Sequence, residues 1–143
     1  MTSRRTEIRN ALKARLTGLA TTAGRVFDDT RVAPLASADL PALFVVTGGE
    51  DPRDATLMRS GLPIVNPLVM RVDILVKATG DFVATANEIL DEVKAALFDS
   101  GAHNTLGGLA HFVQLASIAD PEVDDSMEKP AYRLSVILRI DYS

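Results

Sequence analysis

The sequence predicts an α+β fold in which two helices pack on one face of a mostly antiparallel sheet, as a small two-layer sandwich. Two segments carry apolar residues at helical spacing, two long segments alternate apolar and polar residues, and turn-forming residues separate them. The 143 residues are 47% apolar and 24% charged, as is typical of globular domains. We therefore expect a single domain spanning residues 1–143.

The first helix is predicted by an apolar stripe formed by Ile8, Leu12, Leu16 and Leu19. Thr2 or Ser3 suits its N-cap, and Gly24 suits the left-handed position that ends a helix. The opposite side carries one acidic residue, Glu7, and five basic ones: Arg4, Arg5, Arg9, Lys13 and Arg15. Such a basic face is typical of a solvated helix surface, and a dedicated anion site is the alternative.

The middle of the chain predicts two or three strands. Residues 25–27 form a short extended piece before a turn at 28–30, and residues 40–46 form an apolar run that Pro41 begins, as at a strand entry or sheet edge. Residues 47–53 are rich in turn formers, and residues 48–63 predict a loop long enough to be functional. A long alternating strand starts at Val69, and Asn66-Pro67 upstream predicts a bulge or bend.

The second helix begins at Asp81 as N-cap and ends at Ser100-Gly101. Its apolar stripe consists of Phe82, Ala86, Ile89, Leu90, Val93 and Leu97. The last third predicts a β-hairpin whose first strand is residues 109–119 and whose second is the strictly alternating run 132–142. An acidic loop, residues 120–130, joins them.

Residues for catalysis or metal binding are scarce, and we predict no catalytic residues, no cofactor and no metal site. The chain has no cysteine, and His103 and His111 lie eight residues apart without a further ligand motif. The acidic loop lacks the spacing and the glycine of a calcium-binding loop. The Gly-Gly pairs at 48–49 and 107–108 match no phosphate-binding motif and predict turns.

Composition also limits the partners. The net charge of −4, the absence of Trp and the 5% aromatic content argue against a nucleic-acid platform. The first residues lack the apolar region of a secretory signal, and polar residues and prolines interrupt the most apolar stretch, residues 62–76. We therefore expect no export signal and no membrane partner.

Two features predict contact between subunits. Val69, Leu75 and Ile137 lie among the polar residues of the two long strands, so the outer face of the sheet is expected to be partly covered, by a helix or by another subunit. The basic first helix and the acidic 120s loop would suit head-to-tail contacts between identical copies, and such contacts close into rings.

The order of features along nearly the whole chain resembles the tail-terminator (minor tail protein U-like) family of long-tailed bacteriophages. The resemblance lies in the N-terminal amphipathic helix, the run Arg25-Val-Phe27, the segments 40–46 and 68–78, the helix from Asp81 and the terminal strand ending at Tyr142. It implies a non-enzymatic virion protein that forms a hexameric ring on the head-proximal end of the tail tube. Such a ring ends tube polymerisation, joins the tube to a neck or head-completion protein, and lets DNA pass without specific binding.

Other readings stay open beside this one. A different phage neck or head-completion protein would bind the portal or head connector, and a small ligand-binding or enzymatic α+β domain would need a deep pocket. For the ring, we predict interface residues on the basic helix, in the 48–63 loop and in the acidic loop: Arg9, Lys13, Arg53, Asp54, Arg59, Asp124 and Asp125.

Overall fold

The computed structural model describes residues 3–28, 39–50, 66–98, 105–110, 112–124 and 130–142. Their elements are α1 (Arg4–Leu16), β1 (Val26–Asp28), β2 (Ala42–Glu50), β3 (Asn66–Lys77), α2 (Phe82–Phe98), β4 (Phe112–Ile118), β5 (Glu122–Asp124) and β6 (Ala131–Tyr142). The strands form one sheet in the order β1-β2-β3-β6-β4, with β5 also paired to β6. The β1–β2 pair is parallel and the other described pairs are antiparallel. The predicted α+β class is confirmed.

The centre of the sheet is the antiparallel pair β3–β6. Twelve residues of each strand pair without a register shift, from Asn66 opposite Tyr142 to Lys77 opposite Ala131. Side chains alternate along a strand, so the even-numbered residues of both strands share one side of the sheet. These residues supply most of the sheet's share of the core: Leu68, Met70, Val72, Ile74, Val76, Leu134, Val136, Leu138 and Ile140. The predicted alternation is confirmed. Of the bulge or bend expected at Asn66-Pro67, the bulge is absent from the pairing with β6.

Both helices cover this apolar side of the sheet. The fully buried residues of the helices follow the predicted stripes and are Ile8, Leu12 and Leu16 in α1, and Ala86, Ile89, Val93 and Leu97 in α2. Helix α1 packs over β1 and β2, while α2 packs over β3 and β6. The helix layer therefore ends over β6, and the β4–β5 side of the sheet extends beyond it.

Helix α1 is shorter than predicted. Ser3 is its N-cap and accepts a hydrogen bond from the Thr6 amide, as expected, but the helix ends at Leu16 with Thr17 as C-cap. Gly24, at φ +83°, instead completes the turn that follows. The turn is held from outside the helix, because the Thr21 amide donates to the Glu92 carboxylate of α2 at 3.1 Å.

Helix α2 begins as predicted. The side chain of Asp81 accepts a hydrogen bond from the Ala84 amide at 3.4 Å, and its carbonyl accepts one from the Thr85 amide at 3.2 Å. The first bond satisfies a donor that has no partner within the helix, and the second is the first backbone bond of the helix itself. At the buried end of the same turn, the ring of Phe82 lies 5.1 Å from that of Tyr132 in β6.

Strand β2 continues through the turn predicted at residues 47–49. It ends at Glu50, with an irregular register between Thr47 and Glu50. A Cβ atom added to Gly48 would lie 2.5 Å from the carbonyl oxygen of Val69 in β3. The close approach of these two strands requires glycine at this position. Pro41 lies at the strand entry, as predicted, but β2 is an interior strand between β1 and β3.

The C-terminal third forms the predicted hairpin with one more strand than expected. Strand β4 pairs with the second half of β6 and is bulged between Leu115 and Ser117. Within the predicted acidic loop, residues 122–124 form β5 and pair with the start of β6. The Ala119 amide donates to the Ser135 carbonyl at 2.9 Å between them, so β4 and β5 together form one interrupted edge along β6.

Replacing Val93 by Asp tests the packing of α2. Val93 is fully buried, so the substitution places an unpaired charge in the core and should cost about 4 kcal/mol or more of unfolding free energy. Val83→Asp is the matched control, because Val83 is 45% exposed in the first turn of the same helix, where an acidic residue is favourable. Denaturant titrations measure both; equal midpoints would contradict the described register.

Replacing Gly48 by Ala tests the close approach of β2 and β3. The added methyl group meets backbone and should cost about 1–3 kcal/mol of unfolding free energy. Gly49→Ala is the control, because a Cβ there has no neighbour within 4 Å and should change the unfolding free energy by less than about 1 kcal/mol. Thermal melts of the two variants compare them directly, and a Gly48→Ala protein as stable as Gly49→Ala would refute this packing.

Candidate functional site

A buried carboxylate at the edge of the sheet organises the basic residues of α1. Asp28 ends β1 with its side chain on the helix side, 6% exposed. The Lys13 ammonium lies 2.8 Å from Asp28 Oδ2, and Arg9 Nε lies 3.8 Å from the same oxygen. Because removing charges from water is costly, the pairing is needed for Asp28 to be buried here.

Two further arginines fix the N-terminal half of α1. Arg5 donates a 2.6 Å hydrogen bond to the carbonyl oxygen of Gly48 in β2, and Arg4 pairs with Glu7 at 3.2 Å. We call Arg4, Arg5, Arg9 and Lys13 the α1 basic patch. Its described partners are the carboxylates of Glu7 and Asp28 and the carbonyl oxygen of Gly48. Through these contacts the patch helps to hold the fold together.

The interpretation of this helix face as merely solvated surface needs correction. Arg9 and Lys13 are partly buried, with side chains 19% and 32% exposed. The correction follows from Asp28, which was predicted to start a turn and instead lies in β1 beneath α1. Strand β1 has three residues, which are too few to show a periodicity from which the position of Asp28 could have been predicted. Arg4, Arg5 and Arg15 are exposed on the same helix, as the interpretation of a solvated surface predicted.

At the opposite edge of the sheet, three large apolar side chains are exposed. They lie on the helix side of the sheet, beyond the strand that α2 covers, and are Leu115 (39% exposed), Ile118 (37%) and Val123 (55%). Asp120 and Glu122 are also exposed in this segment, and Glu122, which lies opposite Arg133, points to the other face of the sheet. We call residues 115–123 the β4–β5 edge. The partial alternation of residues 109–119 predicts that their apolar side chains share one face of the sheet. Periodicity alone does not indicate which of these side chains the helices leave exposed.

The face of the sheet turned away from the helices is polar and internally paired. Asp73 is buried there, accepts a 2.6 Å hydrogen bond from Ser135 Oγ, and lies 2.9 Å from Arg71 Nε. Two more ion pairs join Arg133 to Glu122 at 2.7 Å and Arg139 to Asp141 at 3.1 Å. Arg71, Arg133 and Arg139, the arginines of the described β3 and β6 strands, are thus each matched by a carboxylate of the same chain.

The same face holds a small apolar cluster. Leu75 is buried by Leu40, Ala42 and Ala131, and Phe27 and Phe44 pack against the group. Leu75 therefore has a cover within the chain, whereas Val69 remains 41% exposed. Neither of the two described helices covers this face, and cover by another subunit stays a prediction.

The structure brings two of the predicted interface residues, Arg9 and Lys13, together at Asp28. Asp124 lies in β5, opposite Ala131, at the far edge of the sheet. The remaining predicted interface residues lie outside the described residues: Arg53, Asp54, Arg59 and Asp125. The two histidines, for which no site was predicted, also lie outside them. Within the described ranges, no three His, Cys, Asp or Glu side chains group as a metal site would require. Across those same ranges, no helix has the length and apolar character needed to cross a membrane.

Comparison with known proteins found a likeness in fold. No protein family matches the sequence, and no curated protein matches it. One solved structure that matches is a chain of the virion of a native gene transfer agent particle. The match covers 94% of this chain and 93% of the virion chain, with a TM-score of 0.54 and 17% sequence identity. The two chains share a fold. At this identity the likeness concerns the fold alone, and it spans almost the full length of both.

Removing Lys13 tests the organising role of Asp28. Lys13→Ala takes away the donor at 2.8 Å and should lower the unfolding free energy by about 1–2 kcal/mol. Arg15→Ala removes the same charge from an exposed position of α1 and should change it by less than about 0.5 kcal/mol. Urea titrations measure the unfolding free energy of Lys13→Ala, of Arg15→Ala, of Asp28→Asn and of the double variant Lys13→Ala with Asp28→Asn. If the Lys13 and Asp28 effects simply add, the two side chains do not interact.

Proposed function

We propose that this chain is a structural protein of a phage-like virion, and that it forms a ring, with six copies as the expected number, that closes the head-proximal end of a tail tube. The observation that carries the proposal is the near full-length fold match to a chain of a gene transfer agent virion. The feature order that resembles tail terminators supports the same assignment from the sequence. In this role the chain acts by binding, without catalysis or cofactor.

Capping requires a subunit whose surfaces differ from one another. A tube grows while each added ring presents the surface that the next ring binds, so a ring with a different outer surface ends the process. This chain has such differences built in: a positively charged α1 basic patch, an acidic and apolar β4–β5 edge, and a paired polar face of the sheet. The outer surface of the ring would bind the neck or head-completion protein.

The charge distribution supports passage of DNA through such a ring. DNA binding strengthens with each phosphate that a Lys or Arg neutralises. The chain carries a net charge of −4, and the arginines on the open face of the sheet are already paired with carboxylates. A channel built from such subunits would let a polyanion slide without holding it.

A second candidate is another neck or head-completion component of the same kind of virion. The match that supports the first candidate names a whole particle and no position within it, so it favours both equally. The two candidates differ in the surface they bind: the end of the tail tube for a terminator, and the portal or head connector for a neck protein. The same purified chain can be tested on both.

Sedimentation velocity over a wide concentration range tests ring formation. We expect a discrete species near six times the 15.3 kDa chain mass. The chain is then added to polymerising tail tubes of the same virus and, separately, to its portal complex. Terminator function predicts shorter tubes with label at one end in electron microscopy, whereas neck function predicts binding to the portal and tubes of unaltered length.

Val93→Asp is the negative control in both assays when the denaturant titration shows it to be unfolded, and Val83→Asp, which is expected to keep the fold, is the positive one. A chain that is monomeric alone but shortens tubes forms its ring on the tube and still supports capping. A chain that is monomeric, leaves tube length unaltered and does not bind the portal would overturn the proposal. That result would favour a ligand-binding domain.

A further inference from the structure

We propose that β4 of one copy pairs with β4 of a second copy as antiparallel strands, so that the two sheets join across a two-fold axis. The inference goes beyond the ring proposed above, because it concerns a contact that a ring does not require. A two-fold contact uses the same surface on both copies, so it joins two free chains or copies from two different rings. The occupant of this edge is thus a second copy of the chain.

The side of β4 that faces away from β6 is open. Among the described strands, β4 pairs with β6 on one side and with no strand on the other. All residues from 114 to 123 are exposed, and this run includes most of β4. Unpaired backbone N–H and C=O groups at the edge of a sheet favour association with another extended strand. The edge therefore selects a β-strand as its partner.

The sequence of β4 does little to block such pairing. The strand contains no charged residue and no proline, and its protective feature is the bulge between Leu115 and Ser117. The exposed residues Leu115 and Ile118 lie on its helix side. A two-fold axis perpendicular to the sheet keeps the helix sides of both copies on the same side. The exposed apolar side chains of the two copies therefore pack together and are removed from water.

The opposite edge of the sheet is a poor partner for β4. Strand β1 has three residues, and none of them is exposed. Two of the three, Phe27 and Asp28, have further contacts within the chain. A ladder between β4 and β1 would be short for this reason, whereas β4 meets a strand of its own length when it pairs with itself. Among the described strands, the edge that fits β4 is β4.

The placement of charges is compatible with this pairing. The middle of β4 lies at Leu115, and the strand is uncharged, so no like charges face each other at the axis. Asp120 and Glu122 lie beyond the end of β4, and an antiparallel pairing places them at opposite ends of the contact in the two copies. At about 3.3 Å per residue, each carboxylate lies more than about 20 Å from its counterpart, well beyond the screening length of about 8 Å.

The size of the contact indicates a reversible association. Residues 114–123 offer ten exposed residues per copy, compared with about 20–30 per side in a standard interface. In complexes formed by strand addition, main-chain hydrogen bonds supply affinity and side chains supply specificity. We therefore expect the pairing to depend on protein concentration.

The absence of cysteine allows a direct test of the two-fold axis, because each substitution then supplies the single thiol of its chain. Four variants are compared: Gln114→Cys, Leu115→Cys, Ala116→Cys and Ser117→Cys. A disulfide needs Cα atoms within about 7 Å, so two chains crosslink only where a residue lies near its own counterpart. After oxidation we expect a band at twice the 15.3 kDa chain mass on a non-reducing gel. Val83→Cys, at an exposed position on α2, is the control and should remain uncrosslinked at the same concentration.

Charges placed at one position test the same axis in solution. Leu115→Lys and Leu115→Glu each bring like charges together across the axis and should weaken self-association about tenfold. A one-to-one mixture of the two variants should regain the wild-type association in sedimentation velocity, because opposite charges then meet. Val83→Lys is the matched control and should associate as the wild type does. Circular dichroism melts verify that every variant folds.

The outcomes separate this inference from the proposed function. Crosslinked edge variants, with tail tubes of unaltered length, would support the pairing and overturn capping. A wild-type oligomer that shows no edge crosslink, and that neither charge variant weakens, would overturn the pairing and leave the ring in place. Weaker association in both charge variants without recovery in the mixture would overturn the two-fold axis and indicate a head-to-tail contact at this edge.

A chain that is monomeric at every concentration would also overturn the pairing. If Leu115→Lys then loses binding to tail tubes, the tube protein is the partner of the edge.

Discussion

The pairing of β3 with β6 is the constraint on which the rest of the molecule depends. It joins the two longest strands in one register, and that register decides which side of the whole sheet is apolar. A slip by one residue would turn Arg71 and Asp73 toward the helices and their apolar neighbours toward water. Because this register makes one side of the sheet apolar, both helices pack on that side. Helices α1 and α2 therefore lie next to each other there.

The edges of the sheet follow from the same arrangement. Strand β1 adds to one side through a short parallel pairing, and its position is secured by the Asp28 contact with α1 as well as by backbone hydrogen bonds. On the other side β4 and β5 follow β6 with a bulge and a break, so their outer side chains stay near solvent. The molecule is therefore asymmetric: one end of the sheet is tied down by charge, and the other is apolar and open.

The sequence predicted the elements whose periodicity is strong and missed those that depend on distant partners. The stripe of α2 and the alternation of β6 are properties of single segments, so residues such as Val93 and Leu138 were assigned correctly. Gly48 resembles a turn residue locally, and only the approach of Val69 explains its place in a strand. Asp28 and Lys13 are 15 residues apart and meet only after α1 docks on β1. The exposed apolar residues of the β4–β5 edge could not be predicted from the sequence either, because their exposure depends on where the helix layer ends.

The two tyrosines give the molecule a built-in optical reporter. Tyr132 and Tyr142 lie at opposite ends of β6, both buried on the helix side, and the chain has no tryptophan. Ultraviolet emission from the unmodified protein therefore comes from the two ends of its central strand, with Phe82 against one of them. A single tryptophan introduced at an outer surface would be the only indole in the chain, so its spectrum would report on that surface without overlap from another indole.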